Sequence, residues 1–284
     1  MRLTLLLFLV SVSVSGQAEE PLLRAGDRVA LLGGTFFEQM QSAGALEAEI
    51  QCRRPDWKLS FRNIGWSGDD VHGVARKRFD GPEDGFKRLL QDIETADPTV
   101  VLVAYGFAEA SDGIESAKRF ESGLTQLVEA VTTPTRRVIL VSPIAMPGYR
   151  VKDYDQAMQI CLQAVQRVSQ ATGTPAVSVK WNPSDTELNQ QRLLPNAYGY
   201  QAFARQIADP LVGGQPCQQP HPDLVDLVVQ KNQLFFHRYR PQNETYLLLF
   251  RKHEQGNNAV EIPQFDPLIE QADKAIWDAA ATNR

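Results

Sequence analysis

The sequence is poor in the residues that most metal and redox chemistry needs. Its 284 residues hold three cysteines and four histidines. Cys52, Cys161 and Cys217 form neither a C-x-x-C pair nor a zinc-like cluster, so no metal site is expected. An odd count leaves at least one thiol unpaired. A Cys52–Cys161 bridge stays open as a reading, and buried free thiols are the plainer one. The glycine spacing of a dinucleotide or phosphate loop is absent, and C-x-x-C-H is absent too, so no cofactor is expected. There is no excess of positive charge. The net charge is -5, and the balance offers nucleic acid no general attraction.

Long apolar runs are confined to the beginning. "MR" followed by "LTLLLFLVSVSV" and the small residues of "SGQA" has the form of a signal peptide over residues 1–18. The apolar stretch is short for a membrane span, and nothing after it reads as one. The expectation is therefore an exported protein, periplasmic or extracellular, with no integral membrane segment.

After the leader, apolar strands alternate with helical patterns. "DRVALLGG", "WKLSFRNIG", "TVVLVAYG", "RRVILVSPI" and "TPAVSVKW" read as five strands. Helices at 3.6-residue spacing separate them, as in Ala117, Phe120, Leu124, Leu127 and Val131. Continuous apolar strands between helices predict a three-layer α/β fold: a doubly wound, parallel, five-stranded sheet covered on both faces. Ligands in such sheets sit at the carboxyl ends of the strands. That rim would hold Gly33–Thr35, Asn63–Asp70, Tyr105–Ala110 and the loop Gln191–Pro195. Around "LVGGQPCQQPHPD" the composition turns to Gly, Pro and Gln, which divides a main domain, 19–210, from a C-terminal linker and accessory segment, 211–284.

The four rim segments, in this order, resemble the SGNH (GDSL-type) hydrolase family over about Gly26 to Ala208, which implies its flavodoxin-like sheet. The family's blocks supply a Ser after the first strand, a Gly in the second block, an Asn in the third and an Asp–His pair in the last. An activated oxygen, a base and donors aimed at an oxyanion are what acyl transfer requires. Position by position, the resemblance puts Thr35 where Ser stands, after Gly33 and Gly34. Gly65 of "NIGWSGD" keeps the second block. Ala108 of "YGFAEA" replaces Asn, although Tyr105, Gly106 and Glu109 fit. In "QRLLPNAYGY", Gln191 and Leu194 take the Asp and His positions. The expected result is a degenerate site and a pseudoenzyme that binds a glycan or ester-bearing ligand through Gly34, Thr35, Gly65, His72 and Glu109. The alternative is an esterase rewired around Thr35 and His72, the main domain's one histidine, with Asp69 and Asp70 beside it. An apolar pocket is expected where Leu194 and Ala108 stand.

The final segment resembles the stretch that follows SGNH modules in certain large exported bacterial proteins. From Lys231 to His253 it has five Lys or Arg against one acid, Glu244. Arg238, Arg240 and Arg251 are expected either to pair with acids of the main domain or to dock another protein. Its apolar residues, Leu224, Leu227, Val228, Leu234, Phe235, Phe236 and those of "YLLLF", are too many to leave in water, and are expected to pack on the main domain.

Overall fold

The computed structural model describes residues 20–282, apart from Asp80, Pro147, Arg150 and Trp181. The expected signal peptide, residues 1–18, lies outside the described residues. Five strands form the sheet: β1 (Arg28–Gly33), β2 (Ser60–Asn63), β3 (Val100–Ala104), β4 (Arg137–Val141) and β5 (Ala176–Val177). All are parallel, in the order β2-β1-β3-β4-β5. This is the doubly wound order in which the chain reverses direction across the sheet between β1 and β3.

The apolar runs explain the layers. Successive strand residues point to opposite faces. Ala30, Leu32, Val101, Val103, Val138 and Leu140 join one buried cluster. Against it pack α3 (Pro82–Ala96), α5 (Ile114–Val131) and α6 (Tyr154–Thr172). Val29, Leu31, Val100, Leu102, Ile139 and Val141 join the other, under α1 (Thr35–Met40), α2 (Ala45–Arg53) and α7 (Ala197–Val212). The short α4 (Phe107–Ser111) follows β3. Asn196 starts α7 by accepting from the N–H groups of Tyr198 and Gly199, at 2.9 and 3.1 Å.

Two expectations need correcting. The fifth strand, expected over eight residues, keeps two ladder residues. Beyond Val177 the chain leaves β4, and its next tie is Val179 N–H to the Ser142 hydroxyl at 2.8 Å. The thiols also differ from the sequence reading. Cys52 bridges to Cys217, 165 residues away, and Cys161 is the buried free cysteine. Cys52 lies in the last turn of α2 and Cys217 lies past α7, so the bridge ties the linker after α7 back to the beginning of the main domain.

The final segment folds as α8 (Pro222–Tyr239), α9 (Glu244–Leu247), α10 (Lys252–Gln255) and α11 (Phe265–Thr282). Leu224 and Val228 of α8 and Ile276 and Ala280 of α11 bury against Ala48 of α2. Phe235, Tyr239 and Ile269 extend the main cluster. The packing is not complete, since Leu248 and Phe250 of "YLLLF" remain exposed. Side chains of the segment and of α2 bond to carbonyls at and just before the open edge of β2. Lys231 Nζ donates to Phe61 O at 2.7 Å, while Trp277 Nε1 and Gln51 Nε2 donate to Leu59 O at 2.7 and 2.6 Å. The arginines divide differently from expectation. Arg240 pairs with Glu38 of α1 at 2.6 Å, but Arg238 pairs with Asp266 and Arg251 with Glu254, both inside the segment. Contact also runs the other way: Glu244 of the segment accepts from Arg78 and Arg88.

Candidate functional site

The reversal between β1 and β3 leaves a cleft of about 220 Å³ at the carboxyl ends of those strands. Gly34, Thr35 and Phe36 form its floor after β1. Gly68 and Asp69 come from the loop after β2, and Tyr105 to Ala108 from the turn after β3. Ser111 and Asp112 close the far side with Tyr149. Phe107 and Tyr149 meet edge to face at 5.2 Å, giving one apolar wall.

Thr35 lines the cleft and is half-buried. Among the described residues its hydroxyl has one hydrogen-bond partner, the N–H of Gly68, which donates to Oγ1 at 3.3 Å. Among the described residues no imidazole or carboxylate is bonded to it. His72 does not come to Thr35. It is exposed, its N–H donates to Asp70 Oδ1 at 3.0 Å, and its imidazole lies over Gly123 of α5, where an added Cβ would meet Nε2 at 2.8 Å.

Gly65, a candidate both as donor and as ligand residue, is absent from the cleft lining. Its N–H donates to Asn63 Oδ1 at 2.9 Å, and Asn63 Nδ2 in turn reaches Phe37 O at 2.6 Å. An added Cβ at Gly65 would sit 2.5 Å from Glu38 N, so the glycine allows the loop to press on α1. Gly68 faces Thr35 instead. Its φ of +75° is the left-handed conformation that glycine accepts freely. The "SGD" that follows Trp66 is the signal that could have pointed to it.

Ala108 lines the cleft and presents a methyl group where the resemblance puts an amide. The last block does not reach the lining. Gln191 is exposed, and Leu194 is half-buried against the cluster under α7. An added Cβ at Gly148 would collide with the Arg192 carbonyl, so this loop packs against residue 148, next to the Tyr149 that does line the cleft. The apolar character expected from Leu194 is supplied by Phe107, Tyr149 and Ile144. Those three, with Ser111 and Asp112, were not singled out in the sequence.

The walls are held by buried charge. Asp69 accepts from Arg76 Nε at 2.7 Å, from the Tyr105 hydroxyl at 2.8 Å and from Ala75 N–H at 3.2 Å. Arg76 also donates to Asp92 at 2.7 Å and to Ile64 O at 2.8 Å. Burial raises the Asp69 carboxyl above its ordinary value, outweighing the guanidinium beside it. Every polar atom of the Asp69 carboxylate is therefore occupied by structure. Glu109 is likewise structural in its contacts. It accepts from Val71 N–H at 3.0 Å and from Gly106 N–H at 2.9 Å, and is only 3% exposed. Burial pushes its carboxyl up to about 7. From the final segment, Arg240 stacks 3.6 Å over Trp66, and the Tyr239 hydroxyl donates to Gly65 O at 3.1 Å. Glu38, held by Arg240, accepts from Ser67 N–H at 3.0 Å and from the Ser67 hydroxyl. Among the described residues no three His, Cys, Asp or Glu side chains are grouped to hold a metal ion. No helix among them is long and apolar enough to cross a membrane.

No family model and no curated protein sequence matches the chain. Solved structures do match. An alpha/beta hydrolase from the metagenome of Lake Arreo, Spain, is 20% identical, with a TM-score of 0.53 over 68% of this chain and 99% of that one. A catalytic mutant of an acetylxylan esterase from Geobacillus stearothermophilus is 15% identical, with a TM-score of 0.53 over 67% and 96%. A gut microbial diltiazem-metabolizing enzyme is 17% identical, with a TM-score of 0.54 over 69% of this chain, which spans about half (48%) of that enzyme's length. The topology and these neighbours define an SGNH hydrolase-like α/β fold.

Proposed function

We propose that this protein is a catalytically degenerate member of the SGNH-type hydrolases, exported, and acting as a binding or assembly module through the rim cleft. The observation that carries this reading is the environment of Thr35. Its hydroxyl meets a backbone N–H and no base, and a threonine hydroxyl without an adjacent base is a poor nucleophile. Ala108 removes a donor whose loss alone costs on the order of 10²–10³ in rate in related chemistry. No contact between Thr35 and His72 supports the rewired esterase.

The cleft's chemistry indicates the ligand. The wall of Phe107 and Tyr149 offers an apolar face, while Thr35 and Asp112 offer polar atoms. The Asp112 carboxylate in the lining opposes anions. A neutral ligand with hydroxyl or carbonyl groups fits, which covers a sugar ring or its ester. Export is supported by the leader sequence and by the Cys52–Cys217 bridge, a bond that persists in oxidising compartments. Residues 211–284 are read as an accessory segment integral to the fold, although Leu248 and Phe250 leave room for a protein partner.

The test compares the mature protein with Thr35→Ala on short acyl esters. Both are expected to hydrolyse them at the buffer rate. Turnover that Thr35→Ala abolishes would overturn the pseudoenzyme reading. Titration with neutral and acetylated sugars, followed through the amide signals of Gly68 and Ala108, is expected to shift those signals saturably.

A further inference from the structure

The loop after β2 and the turn after β3 are the two walls of the cleft, and one buried carboxylate joins them. Glu109 sits in α4, yet each of its oxygens accepts a backbone N–H from a different wall: Oε1 from Val71 at 3.0 Å, Oε2 from Gly106 at 2.9 Å. A carboxylate accepts at both oxygens, whereas a carboxylic acid turns one of them into a hydroxyl donor. Protonation therefore leaves one of the two N–H groups facing a poor acceptor. We propose that Glu109 is a proton-operated latch of the cleft, closing the 68–71 wall onto the β3 turn when ionised and slackening it when protonated. This rests on the cleft being the ligand site, and it adds the regulation of that site.

The surroundings make the latch titrate near neutrality. Burial raises the Glu109 carboxyl to about 7, the N–H groups of Val71, of Glu109 itself and of Gly106 oppose the rise, and the Asp70 carboxylate adds to it. From α6, the Cys161 thiol faces Glu109 and is itself pushed up to about 12, chiefly by burial, so it stays neutral through this range. The Asp69 carboxylate is turned to Arg76 and Tyr105, and the His72 imidazole to α5. The route to the ligand is short. Val71 lies three residues from Gly68, whose N–H bonds Thr35 on the cleft floor. The turn on the other side is fixed by Gly106, whose φ of +114° puts its backbone against Pro143.

Amide NMR of the ligand-free protein between pH 5 and 8.5 tests this independently of any ligand. The Val71 and Gly106 N–H signals are expected to titrate together, with a common midpoint near 7, and the Gly68 amide to exchange about tenfold faster below the midpoint than above it, after correction for intrinsic rates. Glu109→Gln should abolish the shared titration. Asp70→Asn, which retains the acceptor used by His72 and Val74, should move the midpoint down. Imidazoles titrate in the same interval, so His72→Gln is measured in parallel and should leave the titration in place. A flat response in the wild type, a titration that survives Glu109→Gln, one lost in His72→Gln, or a midpoint unmoved by Asp70→Asn overturns the latch. Absence of sugar binding with a normal titration would overturn the ligand reading alone.

Discussion

Lys231 donates from one Nζ to the Glu47 carboxylate at 2.6 Å and to the Phe61 carbonyl at 2.7 Å, and the lysine is fully buried. A charge from the final segment thus fills a gap in the sheet edge, and a charge from α2 compensates it. Removing one partner of a buried pair strands the other, at a cost of about 3–5 kcal/mol. Glu47 is already burdened, since burial raises its carboxyl and its Oε1 has no partner among the described residues. Lys231→Met is therefore expected to lose stability of that order in urea unfolding. A loss below about 1 kcal/mol would show that the pair contributes little. Adding Glu47→Leu should restore part of what is lost.

Arg240 combines an ion pair to Glu38 with a stack on Trp66. Together such contacts are worth about 1–3 kcal/mol. Arg240→Gln should lower stability by that amount and speed amide exchange at Ser67 and Gly68, which are tied to Arg240 through Glu38 and Trp66. Unchanged exchange at both would refute the transmission through Glu38.

The Cys52–Cys217 bridge spans 165 residues of sequence. Closing so long a loop in the unfolded chain stabilises the fold, typically by about 2–5 kcal/mol. The double variant Cys52→Ser/Cys217→Ser, or the reduced wild type, is expected to melt several degrees lower. Equal melting temperatures with and without reductant would contradict this.

Glu109 makes global stability depend on pH. Its carboxyl titrates at about 7 in the fold against an ordinary value of 4.5. The folded protein therefore binds the proton more tightly than the unfolded chain does. The contribution is full below about pH 4.5 and is lost as pH rises through 7, by about 3 kcal/mol at most. Stability of the wild type relative to Glu109→Gln should fall from pH 5 to pH 7.5. A difference that is constant or rises over that range would count against it.

What the sequence revealed was periodic or local. β1, β3 and β4 are short apolar runs, and their burial on both faces follows from that pattern. Thr35 and Ala108 lie beside strand ends, so counting from β1 and β3 placed them in the cleft. Failures came where distant parts meet. The partner of Cys217 depends on how α7 brings the chain back to α2. Gly65 and Gly68 lie three residues apart in one loop, and only the turn and the Asn63 side chain decide which faces Thr35. Leu194 was set by alignment to a block whose chemistry is gone, and without that chemistry nothing required the loop to point inward. The role of Lys231 was illegible because a lone lysine on a helix ordinarily faces water.

The capping of β2 has a consequence for assembly. A bare outer strand is a template on which a foreign strand can add its own backbone. Here Lys231, Trp277 and Gln51 occupy the carbonyls of Leu59 and Phe61. At the opposite border, β5 has two ladder residues, too few to hold an incoming strand in register. Neither border therefore offers a long run of free carbonyls to an added strand, and on the β2 side two of the three side chains that take them, Lys231 and Trp277, belong to the final segment.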